Sequence, residues 1–349
     1  MSDATNNDYG LTSTSEVLLT SEAGDRLASQ DNVAFKRGSA NAGNVIRVRP
    51  DVVKQTLNGM GTSFTEASAF VLAHLDRQQR SEVMNNIYGE QGANFSLART
   101  PIGATDFCVD GKYSYADVND DRTLSHFSIA VDRDGFSAAK YPGIKDENFD
   151  LLPMILQAIE IKNSQGDADL RIIASPWTAP AWMKDIEDWY QPGSAEADQN
   201  GTGGTLKPGY VETFADYIVK YLDAYNKEGV PIWGLTPVNE PLGNSGQWES
   251  MHFTPESQRD FIKKYLGPKL AANGYQDVGL FMLDHSRGHL EQWADVIYTD
   301  PGSAEFISGA AVHWYESTFK VYEDVLDRVH DRFPGFSIIN TEACIDDLG

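Results

Sequence analysis

Cysteine is scarce, with only Cys108 and Cys344 among 349 residues, far apart in the chain. They could form one bridge at most, which excludes a disulfide-stapled framework and a cysteine-based zinc site, so stability must come from packing. Cations are also short. The 28 Lys and Arg face 51 Asp and Glu, leaving a formal net charge of −23. Such a surface repels phosphate backbones and anionic lipid headgroups, so nucleic acid and membrane surfaces are poor main partners and a neutral ligand fits better. No stretch approaches 18 uninterrupted apolar residues, so no transmembrane segment is expected. The opening residues, MSDATNNDYG, have neither the basic start nor the apolar run of an export leader. As given, the chain is expected in the cytoplasm; a trimmed leader would make it periplasmic or secreted. What is present is ample apolar sequence, 41% of the chain, enough for a large core and too much for a disordered or collagen-like protein.

Residues 1–50 hold one strand-like run, EVLLT at Glu16–Thr20, and a second around Val45–Val48, amid polar and Gly-rich sequence. From Leu57 on, short apolar runs alternate with amphipathic helical stretches. The runs are 57–64, 95–103, 170–177, 232–240, 278–285, 309–315 and 336–342, and helices are expected over 68–88, 151–163, 213–227, 254–273, 290–298 and 319–333. The clearest helix has Phe214, Tyr217, Ile218, Tyr221, Leu222 and Tyr225 on one stripe, and another starts at Thr254 as N-cap with Pro255 in its first turn. Strand followed by amphipathic helix, repeated, means a parallel sheet. The count fits an open doubly wound sheet or an eightfold barrel. Polar and aromatic residues close nearly every run: Arg99, Trp177, Asn239 and Glu240, Asp284 and His285, His313 to Tyr315, Glu342. Convergence of all strand ends on one pocket belongs to a barrel, whereas an open sheet uses mainly its switch point, so the barrel is favoured.

Two glutamates stand out because each closes an apolar run, Glu240 in TPVNEP and Glu342 in INTEAC. Placed on the fourth and seventh strands of a barrel, they face each other across its mouth. Two carboxyl groups in that arrangement, one protonated and one ionised, are what cleavage of a glycosidic bond requires. Metal chemistry is not expected. Asp117, Asn119 and Asp121 imitate the start of a calcium loop, but Arg122 and Ser128 stand where glycine and glutamate are needed. The seven histidines show no paired helical spacing with a glutamate. The polar stretch from Asp188 to Pro208, with Trp189 and Tyr190 at its start, reads as a mobile surface loop or a cleft rim.

NGMGTSFTEASA (58–69), TDFCVDGKYSYADVNDD (105–121), ASPWTAPAWMK (174–184), TPVNEP (236–241), FTPESQRDFI (253–262), MLDHSR (282–287), AVHWY (311–315) and NTEAC (340–344) occur in this order. With them the chain resembles glycoside hydrolase family 30, in its glucosylceramidase-like branch, from about residue 45 to the end. The resemblance implies a retaining β-glycosidase on a (β/α)8 TIM barrel, with a β-sandwich side domain built from both chain ends and no cofactor. It makes Glu240 the general acid and base and Glu342 the nucleophile, supported by Arg99 and Tyr315. Asn239 matches the residue that binds the sugar 2-hydroxyl, Asp106 and Trp177 match glycone positions, and His313 and Trp314 match the pocket wall.

The chain departs from that pattern at its end. Only seven residues follow Glu342, too few for the last βα unit, so the chain reads as a C-terminally truncated barrel. Residues 1–50 would give strands of the side domain and 51–349 the barrel with its first seven strands. The expected substrate is glucosylceramide or a related β-glucoside. An endo-β-1,6-glucanase or a β-xylosidase of the same family is the alternative, and an inactive sugar-binding fragment is the alternative of another class.

Overall fold

The computed structural model describes residues 14–35, 43–109, 111–166, 169–192, 202–243, 246–317 and 319–344. The chain divides into two compact units, Met1–Leu57 and Asn58–Gly349. In the first, strands β1 (Thr14–Leu19) and β2 (Ala28–Ala34) form an antiparallel pair. The strand expected around Val45–Val48 is absent: that segment is irregular, and the polar run ASQDNVA is the second strand instead. Pairing across the turn at Gly24 (φ +108°), not apolar content, makes β2 a strand. No described residue of this unit is buried.

Among its described residues the second unit contains seven parallel strands: β3 (Gly61–Ser63), β4 (Leu97–Pro101), β5 (Arg171–Ser175), β6 (Gly234–Leu235), β7 (Gly279–Ser286), β8 (Gly309–His313) and β9 (Ser337–Glu342). Each pairs with the next in chain order, from β3 to β9. A doubly wound sheet reverses its strand order at a switch point; this one never does, and the sheet curls as part of a barrel. Strand residues alternate between two faces. On one face Ile173, Phe281, Ala311 and Ile339 pack together, while the larger cluster lies between strands and helices. Gly234 leaves room for this inner packing, since a Cβ there would stand 2.8 Å from the Phe281 ring.

The helices are α1 (Glu66–Ala73), α2 (Arg77–Tyr88), α3 (Leu151–Asn163), α4 (Val211–Lys227), α5 (Pro255–Phe261), α6 (Gly267–Ala272), α7 (Leu290–Ile297), the single turn α8 (Pro301–Ala304) and α9 (Glu323–Arg332). The stretch read as one helix over 68–88 is two, because Asp76 starts a new one: its side chain accepts from Gln79 N (2.9 Å), and Gln79 Oε1 accepts from Asp76 N (3.2 Å). The helix expected from Phe319 begins at Glu323, after Tyr322 in the left-handed region (φ +60°). The stripe of α4 is buried as expected, and Thr254 caps α5. A π-helical turn over 262–266 joins α5 to α6, so the predicted helix 254–273 is continuous but not uniform. Among the described residues no helix is long and apolar enough to cross a membrane.

Part of the polar stretch 188–208, residues 193–201, lies outside the described residues. Its described ends are pinned. The buried Lys184 ammonium donates to the carbonyls of Trp189 (2.7 Å), Gly203 (2.9 Å) and Ser250 (2.9 Å), using all three of its protons on backbone that follows β5 and β6.

Candidate active site

The face that carries Ile173, Ala311 and Ile339 carries Ser175, His313 and Thr341 two residues further along each strand, so alternation turns polar groups inward just above the apolar layer. At their centre is the fully buried Asp284. Its carboxylate accepts from Arg99 Nη2 (2.8 Å), Thr236 Oγ1 (2.7 Å) and Thr341 Oγ1 (2.7 Å), and meets His313 Nε2 at 3.0 Å. Burial alone would raise its pKa, but the Arg99 charge and the His313 and Thr341 bonds outweigh burial and hold the carboxyl well below the usual range.

Arg99, nearly buried, is the hub on the other side. Its Nη1 donates to Glu342 Oε2, its Nη2 also donates to Asn239 Oδ1 (2.6 Å), and its Nε donates to Ser175 Oγ (3.3 Å). The guanidinium lies 4.6 Å over the Trp177 ring, which is itself buried. Glu240 is held from below. Its backbone N donates to Asp284 O (2.9 Å), its φ of +46° turns the irregular chain that follows β6, and its Oε1 meets His313 Nδ1 at 3.1 Å. Glu342 Oε2 lies 4.0 Å from the other nitrogen of the same imidazole. The two glutamates therefore address one buried ring from its two nitrogens, and only Glu342 carries the guanidinium.

Burial would lower the His313 pKa, yet the bonds to Asp284 and Glu240 raise it to about 9, so the ring is an imidazolium at neutral pH. An unfolded histidine titrates near 6.5, so the stability this gives is fully present below about 6.5 and is lost as pH rises through about 9. We expect thermal melts between pH 6 and 10 to show an excess loss, on the order of 3 kcal/mol, that His313→Gln removes. An NMR titration of the His313 ring checks the midpoint. Asp284 acts in the opposite direction, its contribution being lost only as pH falls below the carboxylate range.

The remaining expected site residues lie around this network. Tyr315 Oη meets Cys344 Sγ at 3.2 Å, and burial together with the adjacent Glu342 charge raises its pKa. Trp314 is half-buried and gives its indole N–H to Cys344 O (3.1 Å), an anchoring contact with the chain just past Glu342. Asp106 is exposed as a residue, but the protein around its carboxyl and the negative Glu342 and Glu240 raise its pKa to about 7, which sets it in the same field.

The sequence reading gave no role to Asp284, Ser175, Thr236 or Thr341, although Asp284 sits at an apolar strand end in MLDHSR. His285, named with it at that strand end, has no role assigned by the sequence either. Burial pushes its pKa down to about 4, and its Nδ1 lies 4.0 Å from Glu240 Oε1 with no hydrogen bond. Glu240, His285 and His313 offer one ligand atom each within 4.8 Å of one another, a set that could hold a metal ion. The rejected calcium loop is different: Asp121 already accepts from Thr123, Ser125 and His126.

The glycosyl hydrolase family 30 TIM-barrel domain model matches residues 57–347. The chain belongs to this family. Its relatives include putative glucosylceramidase 3 of Caenorhabditis elegans, 31% identical over 95% of this chain and 59% of the relative. The lysosomal acid glucosylceramidase of Mus musculus is 32% identical over 89% of this chain and 56% of that protein. Among solved structures, an endo-β1,6-glucanase superposes with a TM-score of 0.69 at 26% identity, covering 86% of this chain and 60% of the other. The family 30 chain thus spans less than two thirds of each of these relatives.

Proposed function

We propose that this protein is a retaining β-glycosidase that cleaves glucosylceramide or a related β-glucoside by double displacement. The observation that carries this reading is the difference between two glutamates beside one imidazole: Glu342 also holds Arg99, a permanent cation, whereas the hydrogen bond of Glu240 goes to the titratable His313. A carboxylate tied to a guanidinium stays ionised and can attack. In the first step Glu342 attacks the anomeric carbon, the glycosidic bond breaks, and the leaving oxygen takes the proton of Glu240. In the second, Glu240 takes a proton from water, the hydroxyl adds to the anomeric carbon, and the Glu342 ester bond breaks. Esterification removes the charge of Glu342 and with it the repulsion that favoured a protonated Glu240, so Glu240 stays ionised and can act as the base in that step.

Asn239 Oδ1 accepts from Arg99 Nη2, which leaves its amide N–H2 as the donor for a sugar 2-hydroxyl. Asp106 accepts sugar hydroxyls at the mouth. Trp177, with Arg99 on one face, shapes the pocket floor. His313, Trp314 and Tyr315 form the wall on the β8 side, and residues 1–50 contribute strands of a side domain. A second reading, cleavage of β-1,6-glucan, is favoured by the likeness to the solved endo-β1,6-glucanase.

The test is incubation of the chain with an activated 2-deoxy-2-fluoro-β-glucoside, followed by intact mass and peptide mapping. We expect one fluoroglucosyl group on Glu342. A label on another residue, or none on a chain that circular dichroism shows folded, would overturn the reading. Hydrolysis of β-1,6-glucan and not of glucosylceramide would select the second.

A further inference from the structure

We propose that Glu240, His285 and His313 form an inhibitory binding site for a borderline divalent transition-metal ion of the zinc type. Three observations carry it. One ligand atom from each residue lies within 4.8 Å of the others, and donors around a tetrahedral zinc stand about 3.4 Å apart, so small side-chain movements close the set. The Nδ1 of His285 is out of solvent with no hydrogen-bond partner, 4.0 Å from Glu240 Oε1. A buried ring nitrogen left unmatched is costly, and with the proton on Nε2 the Nδ1 lone pair is satisfied by a cation there. Finally, His313 meets the carboxylate of Asp284 through Nε2 at 3.0 Å while Nδ1 faces Glu240. That is the outer support metal-bound histidines use, a carboxylate on the far nitrogen that fixes ring orientation, and the Nδ1 proton of the imidazolium leaves to solvent as the ion takes its place.

Two imidazoles and one carboxylate suit zinc or copper and are wrong for calcium or magnesium, which take oxygen ligands. The site exists because of a bulge. β7 pairs Leu283 with Ala311 and His285 with Val312, leaving Asp284 as the extra residue, and with it Asp284 supports His313 while its neighbour His285 stands beside Glu240. Bound metal would occupy Glu240 Oε1, so inhibition, unlike binding, rests on the acid/base role proposed above.

The test is calorimetric titration of zinc chloride into the full chain in a non-coordinating buffer, with cobalt(II) absorption as a second readout. We expect one site, at least about tenfold weaker in His285→Leu and in Glu240→Gln, with calcium and magnesium not binding, and intense tetrahedral cobalt bands that His285→Leu abolishes. Equal zinc affinity in wild type and a folded His285→Leu, or no tetrahedral cobalt bands from the wild type, would overturn the site. The cobalt arm needs no variant, so a misfolded substitution does not protect the proposal. Zinc should inhibit hydrolysis at the concentration at which it binds. Binding that depends on His285 without inhibition would leave the site standing and refute the role of Glu240.

Discussion

Glu342→Gln is expected to lower kcat/KM on an aryl β-glucoside by at least about 10^4-fold, roughly 5 kcal/mol of barrier. The amide has no charge to place on the anomeric carbon, so no glycosyl ester forms, whatever the leaving group. The fold should survive the change. Arg99 loses one partner but keeps the Asp284 carboxylate, so no uncompensated cation is left in the interior. Steady-state kinetics with an activated and an unactivated aryl glucoside, beside urea unfolding of both proteins, separate the two effects. Comparable activity from a folded variant would remove Glu342 from the mechanism.

Glu240→Gln should behave differently. Loss of general acid catalysis costs about 10^2 to 10^4-fold with a poor leaving group and far less with one that needs no proton. The glycosyl ester then accumulates, since no base activates water. Azide needs no deprotonation, so it should restore turnover and give a β-glycosyl azide, the product of a second inversion at the anomeric carbon. Kinetics across a series of leaving groups and the stereochemistry of the azide product are the measurements. A loss independent of the leaving group, with no azide effect, would show that Glu240 is not the acid and base.

Much of this was legible in the chain because strand and helix periodicities survive in it. Seven apolar runs became seven parallel strands, and the stripe on α4 became its buried face. Asn239, Glu240, His313 and Glu342 could be found because a charged or amide group that closes an apolar run has few places to go except the mouth of the sheet. The failures have local causes. Asp76, a capping residue inside an apparently continuous pattern, divided α1 from α2. The strand β2 has little apolar content and exists only because β1 pairs with it.

Asp284 was placed at a strand end by the sequence but given no role, and the cause is geometric. Alternation places neighbouring residues of a strand on opposite faces, so a regular strand would turn only one of Asp284 and His285, and only one of Thr341 and Glu342, toward the site. The irregularity in β7 between Leu283 and His285, with Leu283 and Asp284 at positive φ, breaks that rule. The shift opposite Val312 and His313, where Asn340 and then Glu342 are the partners, breaks it again in β9. Each bulge brings an additional hydrogen-bonding group to the same network. The sequence by itself determined the strand and helix order and the two glutamates at strand ends, because periodicity and composition are local. Only the tertiary structure decided that the sheet keeps chain order, that Asp284 binds Arg99 and His313, and that one imidazole lies between the glutamates. Those facts depend on register between strands distant in the chain, which no local pattern encodes.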